Sequence, residues 1–151
     1  MDGTGGDQAE RRDRMGLVAR APAAELARLW AGLGTAPRFA WLRPPETGTV
    51  MLRGRAGATG APFNLGEMTV TRASLRLDCG AVGHAWVQGR DRGKAETAAL
   101  VDALMQTDAA DRVRARLLAP LAEAERARRD ARARKAAATQ VEFFTMVRGE
   151  G

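Results

Sequence analysis

His84 is the residue whose type best suits acid–base chemistry. It is the one histidine of the chain, and it lies in the run VGHAWVQGRD, two residues before Trp86. Residues two apart on a strand share a face, so His84 and Trp86 are predicted to point to the same side. Such a histidine could act as a general base or a phosphate ligand, with Glu67 or Asp91 as the accompanying acid. The commoner role is a half-buried strand histidine bonded to backbone, so His84 and Glu67 are catalytic candidates and not an established pair.

A complete catalytic set cannot be assembled from the sequence. A triad also needs a nucleophile, and Ser74 and Cys79 both remain open for that role. Cys79 is the one cysteine, so it cannot form a disulfide within the chain or a cysteine-rich zinc site. Because there is also one histidine, we expect no metal site built from this chain alone and no cofactor of its own.

The stretch 54–66, GRAGATGAPFNLG, is rich in glycine and offers backbone N–H groups that could bind an anion. It does not match a Walker loop, since no Gly-Lys-Ser/Thr closes it. Arg53, Arg55 and Arg72 flank this stretch, and arginine pairs well with phosphate or carboxylate. They are therefore candidate phosphate-binding residues, while a turn-rich interface loop with solvated arginines at strand edges remains the alternative.

Basic charge gives only limited information about partners. The net charge is +6, and 22 of the 24 basic residues are arginine, in a chain without isoleucine or tyrosine. This composition is typical of a GC-rich coding sequence. The basic run 126–135, RARRDARARK, resembles an RNA-binding helix but lacks interleaved aromatic residues. A nucleic-acid-binding module is thus an alternative function, and a solvated or partner-facing helix is the preferred interpretation.

Length and hydropathy limit the class of protein. The 151 residues suffice for one core and are too few for two independent ones. No stretch approaches the roughly 18 apolar residues that a membrane span needs. The first residues, MDGTGGDQAERRDR, lack the apolar region of a secretory signal. We expect a cytoplasmic, disulfide-free protein that does not enter a membrane.

The first part of the chain predicts two helices. Residues 1–9 contain little to bury and are predicted to be a disordered leader. A short helix is expected over 10–21. In the next helix, Pro22 suits the first turn and Gly34 suits the C-terminal end, with leucines and a tryptophan spaced as one stripe between them.

The middle of the chain predicts strands. Residues 39–42 form a short apolar run that we expect to end at Pro44-Pro45, and a second strand covers 49–53. A third strand begins near Glu67, and its apolar phase changes part-way, which predicts a bulge near Thr71–Arg72. A hairpin turn at 78–81 then leads into a fourth strand over 82–88. Hairpin connections imply an antiparallel sheet of about four strands.

The last third returns to a helical period. One helix is expected to start near Asp91–Lys94, and Asp108 is predicted to cap another, with a kink or break just before Pro120. A helix rich in alanine and arginine continues to about Ala138. The end of the chain is too apolar for a solvated tail, so it must dock, and the residues expected at a partner interface are Phe143, Phe144 and Met146.

These elements predict an α+β fold of N-terminal helices, a small antiparallel sheet, C-terminal helices and a docking C-terminal arm. We divide the chain into a leader (1–9), an α+β domain (10–120) and an arm of helix and apolar segment (121–151). The arm is expected to reach a neighbouring molecule or to fold back over the sheet.

Several motifs together resemble one known family. The closest-matching parts are RPPETG at 43–48, GAPFNLGE-x-TVTR at 60–72 and VGH-x-W-V-x-GRD at 82–91, with the alanine–arginine helix at 122–138 and FFTMVRG at 143–149 in support. This sequence closely resembles PhnG, the G subunit of the bacterial carbon–phosphorus lyase system for phosphonate use. The resemblance extends from about Met15 to the C-terminus.

The resemblance implies a function that spacing alone does not show. PhnG-like proteins, with the H, I and L subunits, take part in replacing the adenine of ATP by a phosphonate at the ribose C1 position. The G, H, I and J subunits form a core assembly in which the I subunit is usually credited with the nucleosidase chemistry. ATP and a phosphonate are therefore expected as substrates of a complex, with the I subunit as the most direct partner.

Three hypotheses follow. The first is a non-autonomous transferase subunit, and the second is an enzyme in its own right that uses His84. The third is the basic nucleic-acid-binding module. Homodimerisation in the absence of partners stays open, and no catalytic residue is carried over from the family.

Overall fold

A computed structural model describes the backbone of residues 3–57 and 60–148, with side chains described for residues 4–57 and 60–143. Over these residues the chain first forms α1 (Gly3–Arg20), α2 (Ala23–Leu33), β1 (Phe39–Arg55), β2 (Pro62–Leu77) and β3 (Val82–Gln88). It continues with α3 (Arg92–Leu104), α4 (Ala110–Val113), a π-helical turn (Arg114–Leu118) and α5 (Ala119–Arg148). The predicted α+β class is confirmed.

The sheet is antiparallel with the order β1-β2-β3, so it has three strands in the described part of the chain rather than about four. The difference arises because the two predicted strands at 39–42 and 49–53 are one. β1 continues through Pro44-Pro45, with register shifts between Trp41 and Arg43 and between Arg43 and Glu46. Because β1 lies at the sheet edge, it tolerates prolines that lack an N–H donor, and the irregular register accommodates them.

β2 also differs from its prediction. It begins at Pro62 rather than near Glu67, which leaves only residues 56–61 as the connection to β1. The bulge expected at Thr71–Arg72 is absent from the pairing of β2 with β3, which is continuous from Val70↔Gln88 to Arg76↔Val82. The irregularity lies in β1 instead, where the register shift between Arg43 and Glu46 falls opposite Ser74 and Arg72. The apolar phase of β2 changes because Val70, which is 4% exposed, is buried on the opposite face of the strand, while the core face carries fully buried Thr71, a polar residue, at the next position. Its hydroxyl contacts the Thr47 hydroxyl at 3.0 Å and donates to the Gly89 carbonyl at 2.7 Å.

The helices cover one face of the sheet. α3 packs against the strands, and α1 packs against α3 and β3. Gly34 ends α2 as predicted, with a left-handed φ of 63°. The sheet side of the core comprises Ala73, Leu75, Leu77, Ala85 and Val87. Because alternate residues of a strand point to opposite sides, the other face of the sheet turns away from the helices.

The ends of the helices show which local signals in the sequence predicted a helix boundary correctly. α3 begins within the region predicted for its start, Asp91–Lys94, and Asp91 caps it because its Oδ1 accepts the Lys94 N–H at 2.9 Å. Asp108 does not cap α4: the N-cap is Ala109, whose N–H is accepted by the Thr107 hydroxyl at 3.2 Å. The π-helical turn lies just before Pro120, where a kink or break was expected, and α5 then runs as one helix.

Both ends of the chain contribute more helix than the sequence indicated. Residues 3–9, assigned to the leader, form the start of α1, so this helix begins at Gly3 instead of residue 10. At the other end, Leu121 is fully buried in the core although the predicted arm begins there. Residues 129–143 of α5 are all exposed. No described helix combines the length and the apolar character that crossing a membrane requires.

Candidate functional site

A buried carboxylate joins three elements of the core. Asp102, on α3, is 4% exposed. Arg11 of α1 donates its Nε–H to Oδ1 at 3.0 Å and an Nη2–H to Oδ2 at 2.7 Å. The backbone N–H of His84 in β3 donates to the same Oδ2 at 2.9 Å. We call this arrangement the Asp102 knot.

The electrostatics of the knot favour the charged form of Arg11. The hydrogen bond to Asp102 raises the pKa of Arg11 above its ordinary value, and the charge of Asp102 raises it further, against the opposing effect of burial. The bidentate geometry supplies two charge-assisted hydrogen bonds, which are stronger than bonds between neutral groups. The knot therefore holds the first residues of β3 in a fixed position against α1 and α3.

A close approach of strand and helix accompanies the knot. A Cβ atom at Gly83 would lie 1.9 Å from the Ala99 carbonyl oxygen and 2.7 Å from the Ala103 nitrogen. No side chain fits at that distance, so glycine is required for β3 to lie directly on α3. Gly83 and Asp102 together determine where the neighbouring His84 lies.

The His84 side chain lies on the face of β3 opposite to buried Gly83 and Ala85. It is exposed, and its Nδ1 lies 2.8 Å from the Ser74 hydroxyl oxygen on the adjacent strand. His84 and Trp86 are exposed on the same face, as the alternation predicted. Of the two proposed nucleophiles, the structure therefore brings Ser74 to His84, whereas Cys79 lies exposed in the turn at 78–81.

The proposed acidic partners do not complete this pair. His84 lies opposite Ser74, while Glu67 lies seven residues further along β2, roughly 23 Å away at about 3.3 Å per residue. Asp91 is engaged in capping α3. Asp102 is the acid that reaches residue 84, and it binds the backbone rather than the ring. The structure thus does not bring His84 and Glu67 together.

Sequence reasoning missed Arg11 and Asp102. A signal was present, since Asp102 lies inside the apolar run ALVDAL of α3. An acid within a buried stretch needs a compensating partner, because an unpaired buried charge is costly. Arg11 carried no comparable signal, as it belongs to a strongly charged run in α1.

An apolar hollow of about 460 Å³ lies between α1, β3 and α3, with the Asp102 knot in its wall. Its lining includes Met15, Val18, Val87 and Val101 beside the arginines of α1. The lining does not contain Glu67 or the arginines predicted to bind phosphate. Among the residues described, no group of three or more His, Cys, Asp or Glu side chains could hold a metal ion.

The three arginines predicted to bind phosphate do not converge. Arg53 pairs with Asn64 and Arg55 pairs with Pro62, near the end of the β1–β2 hairpin. Arg72 lies opposite Glu46 on one side and Trp86 on the other, in the body of the sheet. Within the glycine-rich stretch 54–66, residues 54–55 and 62–66 belong to strands rather than to a loop.

The end of the hairpin carries exposed apolar side chains. Residues 48–57 and 60–68, which we call the β arm, extend beyond the residues that β3 pairs with. Four large apolar side chains of the β arm are exposed: Met51, Leu52, Phe63 and Leu65, the last of them 63% exposed. Met51 and Leu52 are consecutive in β1 and therefore lie on opposite faces of the ribbon. A two-stranded ribbon is marginally stable on its own in water, and exposed apolar side chains on it indicate an interaction surface.

The second projecting element is the part of α5 over residues 129–143, which we call distal α5. Ion pairs anchor the helix before this part: Arg20 of α1 binds Glu125 at 2.7 Å, and Arg128 binds Glu25 of α2 at 3.1 Å. Phe143 is 64% exposed. The side chains of Phe144 and Met146, the other predicted interface residues, lie outside the described residues.

These features define a class: a small α+β protein with a rigid core and two elements that project from it. The chain belongs to the PhnG family, since the family described as "Phosphonate metabolism protein PhnG" matches residues 9–149. A curated relative from Rhizobium meliloti (strain 1021) is named alpha-D-ribose 1-methylphosphonate 5-triphosphate synthase subunit PhnG. It is 48% identical over 143 residues, which cover 94% of this chain and 91% of the relative. The resemblance seen in the sequence is confirmed.

Proposed function

We propose that this chain is the G subunit of an alpha-D-ribose 1-methylphosphonate 5-triphosphate synthase in a carbon–phosphorus lyase system. Support comes from the relative that bears this name and is 48% identical over 94% of the chain. In the proposed reaction a phosphonate oxygen forms a bond to the ribose C1 of ATP while the bond from C1 to the adenine nitrogen breaks. Adenine leaves with that electron pair and takes up a proton.

The observation that carries a subunit role is the exposed apolar surface of the β arm. Met51, Leu52, Phe63 and Leu65 lie on a two-stranded ribbon that β3 does not support. Covering such side chains contributes about 25 cal/mol per Å² of apolar surface removed from water, from which the entropy costs of association are subtracted. The protein therefore acts with protein partners. The partners proposed in particular are the H, I, J and L subunits of the system, with the I subunit most direct.

Distal α5 is the second proposed contact, with Phe143, Phe144 and Met146 at its apolar end. Catalysis is proposed to reside mainly in a partner subunit, with ATP and a phosphonate as substrates of the complex. The family and the relative described above are named for phosphonate metabolism and for the synthase rather than for nucleic-acid binding, and two of the six cations in the basic run pair with carboxylates. Arg126 binds Glu123 at 3.0 Å, and Arg128 binds Glu25.

Reconstitution tests the subunit role. The purified chain, alone and mixed with the H, I and L subunits, is incubated with ATP and methylphosphonate, and adenine release is measured by chromatography. We expect no turnover by the chain alone and phosphonate-dependent release by the mixture that is lost when this chain is omitted. Release by the chain alone at a rate that the other subunits do not change would contradict the proposal.

A pair of truncations tests distal α5. Ending the chain after Asp130 keeps Leu121 and the ion pairs to Glu125 and Glu25, so we expect a folded protein with weakened binding to the I subunit. Ending it after Pro120 also removes fully buried Leu121, which should cost at least the 2–5 kcal/mol of a leucine-to-alanine change. Undiminished co-purification of the folded Asp130 truncation with the I subunit would exclude distal α5 as the contact.

A further inference from the structure

The face of the sheet that turns away from the helices carries a cluster of basic side chains. Ser74 lies near the centre of this cluster, because Arg72 lies two residues before it and Arg76 two residues after it on the same face of β2. Across the strands, Ser74 pairs with Arg43 of β1 and with His84 of β3. We call this set, together with Trp86, the outer face.

The distances between neighbouring side chains on the outer face suit a ligand group that is a few ångströms across. Neighbouring strands lie about 4.8 Å apart, and residues two apart on a strand lie about 7 Å apart. Arg43, Arg72 and Arg76 therefore surround one patch above Ser74, beside the His84 ring whose Nδ1 is 2.8 Å from the serine hydroxyl. Their guanidinium groups can converge on one multiply charged anion.

The positive charge of this cluster is largely uncompensated. Glu46 is the acid on the same face, and its contact with Arg43 is long, at 3.9 Å. In the described part of the chain, Arg72 and Arg76 form no salt bridge. Three clustered arginines against one acid favour a ligand that brings two or more negative charges, such as a phosphate chain.

Trp86 adds an aromatic surface next to the arginines. It lies opposite Arg72 on the neighbouring strand, is 57% exposed, and lies diagonal to Ser74, at about 7–8 Å between such positions. Beside it is an open hollow of about 610 Å³ whose apolar lining includes Met68 and Val70. A flat apolar group can stack on the indole and lie in this hollow.

Two further cations lie at the hollow and are already engaged. Lys94 donates its Nζ to the Ala19 carbonyl at 2.7 Å, and burial lowers the pKa of Lys94. Arg20 binds Glu125. These groups make the end of the hollow near α1 polar, whereas the outer-face arginines, which carry uncompensated charge, lie on the other side of Trp86.

We propose that the outer face binds a nucleoside polyphosphate, with the base on Trp86 in the hollow and the phosphate chain over Ser74 between Arg43, Arg72 and Arg76. The proposal deepens the proposed function and rests on it for the biological source of such a ligand. An acidic protein segment would match the arginines equally well. The hollow beside an exposed indole is what favours a planar base joined to phosphates.

Binding measurements on the full chain test the site. ATP and inorganic tripolyphosphate are titrated by calorimetry into the wild type, the double variant Arg72→Gln/Arg76→Gln, and the matched control Arg132→Gln/Arg134→Gln. The control removes the same charge from exposed distal α5. We expect the outer-face variant to lose at least tenfold in affinity for both ligands and the control to change less than twofold. Equal losses in both variants would mean non-specific charge attraction and overturn the proposal.

A Trp86→Leu variant separates the base from the phosphates. It should bind ATP at least fivefold more weakly and keep its affinity for tripolyphosphate within twofold. If the Trp86→Leu variant kept its affinity for both ATP and tripolyphosphate, the placement of the base on Trp86 would be wrong.

Assembly with the partner subunits is measured on the same variants, so the two proposals fail separately. If Arg72→Gln/Arg76→Gln abolished assembly while ATP binding stayed unchanged, the outer face would be a protein interface and the nucleotide site would be wrong. If ATP binding behaved as expected but the reconstituted mixture released no adenine, the site would stand and the proposed function would fall.

Discussion

The Asp102 knot and the β arm differ in whether the chain itself compensates an energetically unfavourable group, a buried charge in the first case and exposed apolar side chains in the second. In the knot, a buried carboxylate accepts hydrogen bonds from Arg11 and from the His84 backbone, so the cost of burial is met inside the chain. In the β arm, large apolar side chains such as Phe63 and Leu65 remain exposed. The knot is complete within one chain, whereas the apolar side chains of the β arm remain in contact with water in the isolated chain.

This difference separates residues that serve folding from residues that serve assembly. Substitutions in the knot should lower the free energy of unfolding of the isolated protein. Substitutions on the β arm should leave that quantity nearly unchanged and weaken the complex instead. The following variants test this division, beginning with the largest expected effect.

Gly83→Ala should be the most damaging single change. Its Cβ would lie 1.9 Å from the Ala99 carbonyl oxygen, which belongs to a helix backbone and cannot rotate away. We expect a loss of about 3 kcal/mol or more in the free energy of unfolding, at the upper end for overpacking, measured by urea denaturation. Gly48→Ala on β1 is the matched control, because a Cβ there meets no atom within 4 Å. Similar small losses in both would show that β3 can move away from α3.

Asp102→Asn should have the next largest effect. The change removes the charge that pairs with Arg11, and the new amide NH2 faces one existing donor if it takes the place of Oδ1 and two if it takes the place of Oδ2. We expect a loss of about 2 kcal/mol, below the usual cost of breaking a fully buried pair because the Arg11 side chain is 36% exposed. In a double-mutant cycle with Arg11→Met, the losses should be strongly non-additive. Additive losses would mean that the two residues act independently.

Features that depend on local signals could be predicted from the sequence, whereas features that depend on the register between strands could not. α2 was predictable, because its apolar stripe and Gly34 are local signals that its own packing does not override. The shared face of His84 and Trp86 was predictable from alternation along a strand. The pairing of His84 with Ser74 was not, because it depends on the register that the turn at 78–81 sets between β2 and β3.

The remaining errors concern position within the sheet. Pro44-Pro45 indicated a strand end, and only the location of β1 at the edge makes a continuous strand possible. A bulge was predicted near Thr71, whereas Thr71 is buried and its hydroxyl contacts Thr47 and the Gly89 carbonyl, which are distant in sequence. Likewise, Arg72 was grouped with Arg53 by nearness to a glycine-rich stretch, although the pairing places them far apart along the hairpin.

The β arm gives the third prediction. Phe63→Ser/Leu65→Ser removes the aromatic ring and the most exposed aliphatic side chain of the β arm. The free energy of unfolding should change by less than about 0.5 kcal/mol, as for other exposed positions. Affinity for the I subunit should fall at least tenfold, which corresponds to about 1.4 kcal/mol. The control, Leu42→Ser, changes an exposed leucine outside the β arm. Unfolding of the double variant, or unchanged affinity for the I subunit, would mean that these β-arm side chains do not serve assembly rather than folding.

The smallest expected effect concerns the anchor of α5. The hydrogen bond from Arg20 lowers the pKa of Glu125, so this contact stabilises the protein above the ordinary glutamate pKa of about 4.3. The stabilisation is lost as the pH falls through the lower folded-state pKa. Because Arg20 is 59% exposed, we expect less than about 1 kcal/mol. Glu125→Gln should therefore reduce the acid dependence of unfolding below pH 4.3, whereas Glu123→Gln, at an exposed pair within α5, should reduce it less. Equal acid dependence in the two variants would mean that Arg20 does not anchor the helix.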